Sequence, residues 1–190
     1  FNNIDELKNC IHESLIEFLK DKGIVGKTSF DKDICADSDI SDIDEDKVKW
    51  FLETAKKQRK YPIDANLPLK DIFTHLNLVH KDNLTNSAIL LFGKNPQKYH
   101  IQSEIKCLRF SGTEVEKPFT SYQIYKGNLF DQIDKSIAFV LESIRFPVVQ
   151  QNNTAQVKRL YEVPDFAIQE AIVNAIAHRD YNSNAAVQVM

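Results

Sequence analysis

The apolar spacing of this chain switches near Glu104, and that switch limits what it can fold into. Upstream, apolar residues recur at steps of three and four, which gathers them on one face of a helix. Ile4, Leu7, Ile11, Leu15 and Phe18 form one such series, with Gly23 as a stop. Val48, Phe51, Leu52 and Ala55 form a second, closed by Lys56-Lys57-Gln58-Arg59-Lys60, where cations suit the helix dipole. After a loop bracketed by Pro62 and Pro68, Leu69, Ile72, Phe73 and Leu76 predict a short third helix. Thr85 can cap a further apolar segment, Ser87 to Phe92, which Gly93 and Pro96 terminate; so short a run fits a buried helix or a buried strand. Downstream, 105–110 and 119–125 are rich in aromatic and β-branched residues and predict two strands separated by Gly112 and Pro118. Asn128 caps a long helix carrying Phe130, Ile133, Ile137, Leu141 and Ile144, ended before Pro147. Residues 148–154 read as a surface connection and 157–163 as a strand. The expected class is α+β: a helical N-terminal half, a small β-hairpin or sheet, a long helix, then a further strand and helix.

Charge divides the chain differently. Residues 1–45 hold 5 basic and 12 acidic side chains (−7), residues 46–130 hold 14 and 8 (+6), and residues 131–190 hold 5 and 7 (−2). The acids at 31–46 invite a calcium-loop reading, but with Asp37 and Asp39 as positions 1 and 3, Asp42 stands where glycine is needed and Val48 where glutamate is needed. A solvated acidic linker ending in a helix N-cap at Asp42 or Asp44 is the reading that remains. The expected divisions are 1–45, an N-terminal helix and linker; 46–155, a middle α+β domain with winged-helix order; and 156–190.

Several chemistries have no material. Five glycines in 190 residues leave little for a glycine-rich phosphate loop, and no apolar run approaches the roughly 20 residues of a membrane span, so no membrane partner is expected. Cys10, Cys35 and Cys107 are odd in number and lack C-x-x-C spacing, which predicts reduced structural thiols in a cytoplasmic protein. His12, His75, His80 and His100 lack metal-ligand spacing, and Ser14, Ser29 and Ser87 lack a nucleophile-elbow context. Phe1 in place of Met, with no signal segment, marks the chain as an expected piece of a longer protein.

The segment from Pro164 to Tyr181 carries the most chemistry. Pro164 and Asp165 start a helix whose apolar side is supplied by Phe166, Ile168, Ile172, Val173 and Ile176. Glu170, Asn174 and His178 then fall at about 0°, 40° and 80° around the axis, on one face, with small alanines between them. A carboxylate beside an amide suits a site where the carboxylate polarises a water and the amide oxygen ligates magnesium, which keeps several waters and needs only one or two protein oxygens. The same spacing also fits a partly exposed helix with a capping histidine.

The run E-A-I-V-N-A-I-A-H-R-D-Y, Glu170 to Tyr181, resembles the first ATP-site helix of the GHKL ATPases, the superfamily of gyrase, histidine kinases, heat-shock chaperones and mismatch-repair ATPases. More closely, the chain resembles a bacterial RecG-related, transcriptional-regulator family that joins an AlbA-like (Schlafen-type) DNA-binding domain to such an ATPase. L-T-N-S-A-I-L-L-F-G-K-N-P at 84–96 and I-K-C-L-R-F-S-G at 105–112, leading to G-N-L-F-D-Q-I at 127–133, agree with it. The likeness runs from about Asp42 to the end, and no helicase motor motif accompanies it. It implies Glu170 as general base, Asn174 as magnesium ligand, and His178 or Arg179 near phosphate, with ATP and Mg as cofactors. It further implies that residues 156–190 open a GHKL-type α/β sandwich, with Ala185, Val187 and Val189 as its first strand. The remaining adenine-binding and lid motifs belong after Asn182, so the 190 residues alone are not expected to hydrolyse ATP.

Three functions follow as expectations. The first is a segment of an ATP-binding transcriptional regulator that meets DNA through its parent protein. The second is a winged-helix-type DNA-binding module in 46–130, with Lys56, Lys57, Arg59, Lys60, Lys94 and Lys98 reaching phosphates but no base-reading cluster, hence weak and salt-sensitive. The third is a packing or dimerisation scaffold in residues 1–160; under the first reading, the middle region or another copy of the chain, as a homodimer, is expected to cover the apolar side of the 164–178 helix.

Overall fold

The computed structural model describes residues 29–60, 67–112, 119–144, 148–150, 157–159 and 163–190; the helix expected over 4–18 and the loop at 61–66 lie outside these. The fold is mixed α+β, with two apolar cores.

The first core gathers the helical half. Helix α1 (Glu45–Arg59) begins where the Asp44 carboxylate accepts from the backbone N–H groups of Asp46 and Lys47, and it buries Val48 and Leu52. Helix α2 (Leu69–His75) buries Ile72 and Phe73. An unforeseen hairpin follows, β1 (Val79–His80) against β2 (Asn83–Leu84), reversed by Lys81 and Asp82 at φ 50° and 64°. Paired positive φ values match the right-handed twist of the two strands. The ambiguous segment resolves as a helix, α3 (Asn86–Phe92), capped by the Thr85 hydroxyl accepting from Ala88 N–H. Gly93 ends it because a Cβ there would lie 2.5 Å from the Ile89 carbonyl oxygen.

The acidic stretch is not the solvated linker that its charge implies. It lies along α3 as a strap: Cys35 N–H donates to Leu84 O (2.9 Å), Asn86 N–H to Asp33 O (2.9 Å), and Asp44 N–H to Phe92 O (2.8 Å). Cys35 and Ile43 are buried in the first core. Apolar residues placed every few positions among the acids supply the anchoring, while most of the carboxylates stay in water.

The second core lies under a three-stranded sheet whose central strand is flanked by one antiparallel and one parallel neighbour. Strand β3 (Ile105–Arg109) pairs antiparallel with β4 (Ser121–Tyr125) and parallel with β7 (Val187–Val189). Helix α4 (Leu129–Ser143) starts at Asn128, whose side chain accepts from Asp131 N–H, and α5 (Asp165–Ala177) packs on it. Ile105, Cys107, Phe139, Ile168, Ile172 and Ile176 form this core. The β3–β4 pair is therefore built into the second core instead of standing off the first three helices as a wing. Likewise β7 extends the sheet that β3 begins, so residues 163–190 and 105–144 share one core. Residues 148–150, expected as a connection, form strand β5 (Val148–Gln150), antiparallel to β6 (Val157–Arg159).

Helix α4 ties the cores together. Phe130 at its start packs with Trp50, Phe51 and Phe92, while Phe139 two turns on belongs to the second core. Lys47 Nζ meets Asp131 Oδ1 at 2.6 Å. Gln97 and the fully buried Gln132 each donate to Ser103 O and Gly127 O, and Gln97 Oε1 accepts from Gly127 N–H. Among the described residues no helix is long and apolar enough to cross a membrane.

Candidate functional site

Helix α5 presents the residues with most chemical content. Its buried side is Ile168, Ile172 and Ile176, one residue per turn, against α4. Glu170, Asn174 and His178 are exposed, on the side away from those isoleucines. Phe166 departs from expectation: it is 66% exposed. At about 100° per residue it lies some 40° from Glu170 and 160° from Ile168, so helix geometry puts it on the Glu170 side. The outer face thus offers an aromatic ring, a carboxylate and an amide in successive turns. Neither the Glu170 nor the Asn174 side chain makes a hydrogen bond to another described residue. His178 closes the helix at φ −100°, its N–H donating to Asn174 O at 2.9 Å.

Arg179 stands apart from that face. Its guanidinium lies 4.8 Å from the centroid of the Tyr181 ring, and its Nε is buried without a hydrogen-bond partner. Tyr181 is itself fixed, its hydroxyl donating to Ile176 O at 3.0 Å and its ring stacked on Phe30 at 5.6 Å. Burial pushes the Tyr181 phenol up to about 12, so it stays protonated and keeps that hydrogen bond. Arg179 and Tyr181 line a cavity of about 260 Å³ with Tyr99, His100, Ser183 and Asn184. The structure therefore brings Glu170, Asn174 and His178 together and places Arg179 beside the 99–103 loop.

The six basic residues fall into two separate sets. Lys56, Lys57, Arg59 and Lys60 are all exposed at the C-terminal end of α1, where Lys60 caps it in the left-handed region. Lys94 and Lys98 lie at the other end, about 22 Å away for a 15-residue helix. Both are engaged within the chain: Lys94 Nζ donates to Ser41 O (2.8 Å), and Lys98 Nζ donates to the Tyr99 hydroxyl (2.8 Å) and lies 3.4 Å from Asp42 Oδ1. The Tyr99 hydroxyl donates to Asp42 Oδ2 at 2.7 Å, and this bond, with the Asp39 backbone and Lys98, holds the Asp42 carboxyl below its usual range.

Two features went unread in the sequence. A cavity of about 520 Å³ opens where β3 and β7 end beside α4, with Arg109, Ser111, Thr120 and Ser143 among its lining. The Phe30–Tyr181 stack brings together the two ends of the described chain. Both depend on contacts between residues far apart in sequence, which no local spacing announces. Cys35 and Cys107 are free and buried, and burial raises both thiols. Among the described residues no group of three His, Cys, Asp or Glu side chains is placed to hold a metal.

A family model described as "Domain of unknown function (DUF8451)" matches residues 17–106, which covers α1 to α3 and ends inside β3. Helix α5 lies outside the match. No curated protein matches the chain. The crystal structure of the DIP2311 protein from Corynebacterium diphtheriae is similar with a TM-score of 0.56 at 16% identity, over 91% of this chain and 32% of that one. The likeness is one of fold, and this chain spans about a third of that protein's length.

Proposed function

We propose that this chain is a segment of an ATP-binding, RecG-related transcriptional regulator of the cytoplasm, connecting a DNA-binding domain to a GHKL-type ATPase. The observation that carries the reading is the pairing of Glu170 and Asn174 on the solvent side of α5, one turn apart, while Ile168, Ile172 and Ile176 fix the opposite side. The exposed amide oxygen of Asn174 suits magnesium, which keeps several waters and needs only one or two protein oxygens, and the Glu170 carboxylate stands one turn away to act on such a water. Asn174 would hold magnesium through its amide oxygen. Glu170 would accept the proton of a water attacking the terminal phosphate, and His178, on the same face, would lie beside phosphate oxygens, whereas Arg179, the other phosphate candidate, is turned onto Tyr181. Mg-ATP, when bound, supplies the charge-neutralised phosphoryl group.

The test is calorimetry with Mg-ATP on the 190-residue chain and on a chain extended by about 150 residues, an ordinary domain length. Binding by the extended chain alone supports a split site, with Glu170→Ala abolishing turnover there and leaving folding intact. Binding by neither, or undiminished turnover in Glu170→Ala, removes the assignment.

A second reading has one observation in its favour. Lys56, Lys57, Arg59 and Lys60 form an exposed basic cluster, as a phosphate-contacting face of a DNA-binding module needs. Duplex binding that weakens as salt rises, and is lost in a Lys56→Glu/Lys57→Glu variant, supports it. No binding at low salt removes it.

A further inference from the structure

Among the described residues, Arg179 Nε is the sole buried side-chain nitrogen or oxygen without a hydrogen-bond partner. A buried donor left unmade costs free energy, and a guanidinium keeps its charge, so this atom calls for an acceptor that the chain does not supply. The acceptors that flank it in sequence are taken. Ile176 O accepts from the Tyr181 hydroxyl, Asn174 O from His178 N–H, and Asp180 Oδ1 from Asn182 N–H. No described carboxylate comes within ion-pair distance of the Arg179 guanidinium.

We infer that the cavity beside Arg179 is a binding site for a phosphate group, separate from the Glu170–Asn174 face, with Arg179 as its cation. This cavity of about 260 Å³ lies between the 99–103 loop and the residues that follow α5, Arg179, Tyr181, Ser183 and Asn184. Its lining is mostly polar and includes no acidic residue. Ser103 and Ser183 use their side-chain oxygens as acceptors, from Gln97 Nε2 (3.2 Å) and from Ala185 N–H (3.2 Å), so each hydroxyl hydrogen is left to donate. A guanidinium fork, two hydroxyls and the Asn184 amide are thus donors around one space, which suits the several acceptor oxygens of a phosphate better than the two of a carboxylate. Both walls are fixed before any ligand arrives. Tyr181, whose ring centroid lies 4.8 Å from the guanidinium, is itself stacked on Phe30. Opposite, the Tyr99 and His100 N–H groups donate to Pro96 O, and Ser103 N–H donates to His100 O. Donors held in place bind an anion without the cost of ordering them. At roughly 30 Å³ per water the space holds about nine waters, enough for a phosphate group and too little for a whole nucleotide.

The site shares no residue with the Glu170, Asn174 and His178 face, so it stands whether or not a nucleotide binds there. The test is a titration of the isotope-labelled full chain with inorganic phosphate, followed by amide NMR at fixed pH and ionic strength. Amide signals of residues 99–103 and 179–184 should move along one saturable curve while those of Glu170 and Asn174 stay in place. Arg179→Met, which keeps the apolar stem over Tyr181 and removes the charged donors, should weaken binding by roughly tenfold or more. Asn184→Ala removes an exposed amide that bonds to no other described residue, and should weaken binding by about two- to tenfold. That second variant decides the question should Arg179→Met fail to fold. Glycerol 3-phosphate, titrated in parallel, separates the two sources of the group: the tighter ligand marks the site as one for a phosphomonoester or for the free ion. The proposal is overturned by the absence of a saturable shift, by a shift centred on Glu170 and Asn174 or on Lys56 to Lys60, by equal affinity for acetate, or by undiminished affinity in Arg179→Met.

Discussion

Both halves of the molecule bury apolar side chains on one side of each helix, but they treat the remaining surfaces differently. In the helical half, the strap of residues 30–44 covers α3, and its backbone groups are paired with the strand and helix beneath. In the sheet half, α4 lies covered between sheet and α5, while the outer side of α5 and part of β4 face water with Phe166, Tyr122 and Ile124 at 66%, 45% and 42% exposure. Cys35 and Ile43 anchor that strap in the first core, while Ile34, Ile40 and Trp50 stay exposed on the surface of this half, so the contrast between the halves rests on paired backbone and on the outer side of α5. Large exposed side chains beside a carboxylate and an amide that bond to no other described residue are what a surface awaiting a ligand or a partner presents.

The sharpest way to break this contrast is at Phe92, 1% exposed and touching Phe51, Phe73 and Phe130. Phe92→Ala should cost about 3–5 kcal/mol in urea unfolding, since the cavity lies where three rings meet and cannot close easily. A loss under about 1 kcal/mol would mean that the first core is not the stable half.

Gln132 is the next lever, because it serves both halves while belonging to one. Gln132→Leu removes one of the two donors at each of the Ser103 and Gly127 carbonyls and leaves Gln97 as the other, at a cost of roughly 0.5–1.5 kcal/mol per bond. Trp50 fluorescence and far-UV dichroism, coincident in the natural chain if it unfolds as one unit, should then give separate midpoints. Coincident transitions in the variant would show that Phe130 and the Lys47–Asp131 pair suffice to couple the cores.

A smaller effect tests the contact between the ends of the described chain, where the His100 ring meets Phe30 edge-on at 5.1 Å beside the Phe30–Tyr181 stack. Burial holds the His100 imidazole below its ordinary 6.5, so the folded state favours the neutral ring. The unfolded chain takes up its proton first, so the stability contribution is complete above 6.5 and is lost as pH falls from there toward the lower folded value. Asp42, held below 3.8, contributes its own loss only at more acid pH. The urea midpoint should therefore drop between about pH 7.5 and about pH 5.5, and His100→Gln should lessen the drop. An equal drop in the variant would place the acid sensitivity elsewhere.

Local chemistry made much of this fold legible. Asp44, Thr85 and Asn128 were readable as caps because capping needs only a side-chain oxygen within three residues. The helix and strand periods gave α1, α2, α4, α5, β3 and β4 within a residue or two of their observed limits. What stayed hidden depended on long-range pairing or on polar burial. Nothing in Cys35 or Ile43 announces that an acidic segment will bridge to Thr85 and Gly93. The parallel match of β7 to β3 joins residues some eighty apart. Gln132 reads as a surface residue on any pattern of apolar spacing, yet it is buried because two carbonyls await it. For the candidate site, spacing alone placed Glu170, Asn174 and His178 on one exposed face. It could not show that Arg179 would turn onto Tyr181, because that depends on Phe30, about 150 residues away.

The smallest expected effect carries the contrast furthest. Phe166 has little burial to lose, so Phe166→Ser should change stability by no more than about 0.5 kcal/mol, as surface substitutions do. Ile172→Ala, two turns along and on the buried side, should cost about 2–5 kcal/mol in the same urea titration. A difference of that size between two apolar residues of one short helix can arise only if its outer side is free. If Phe166→Ser instead cost as much as Ile172→Ala, something within the chain would already cover that side. Glu170 and Asn174 would then be shielded with it, and the outer face of α5 would be a packing surface.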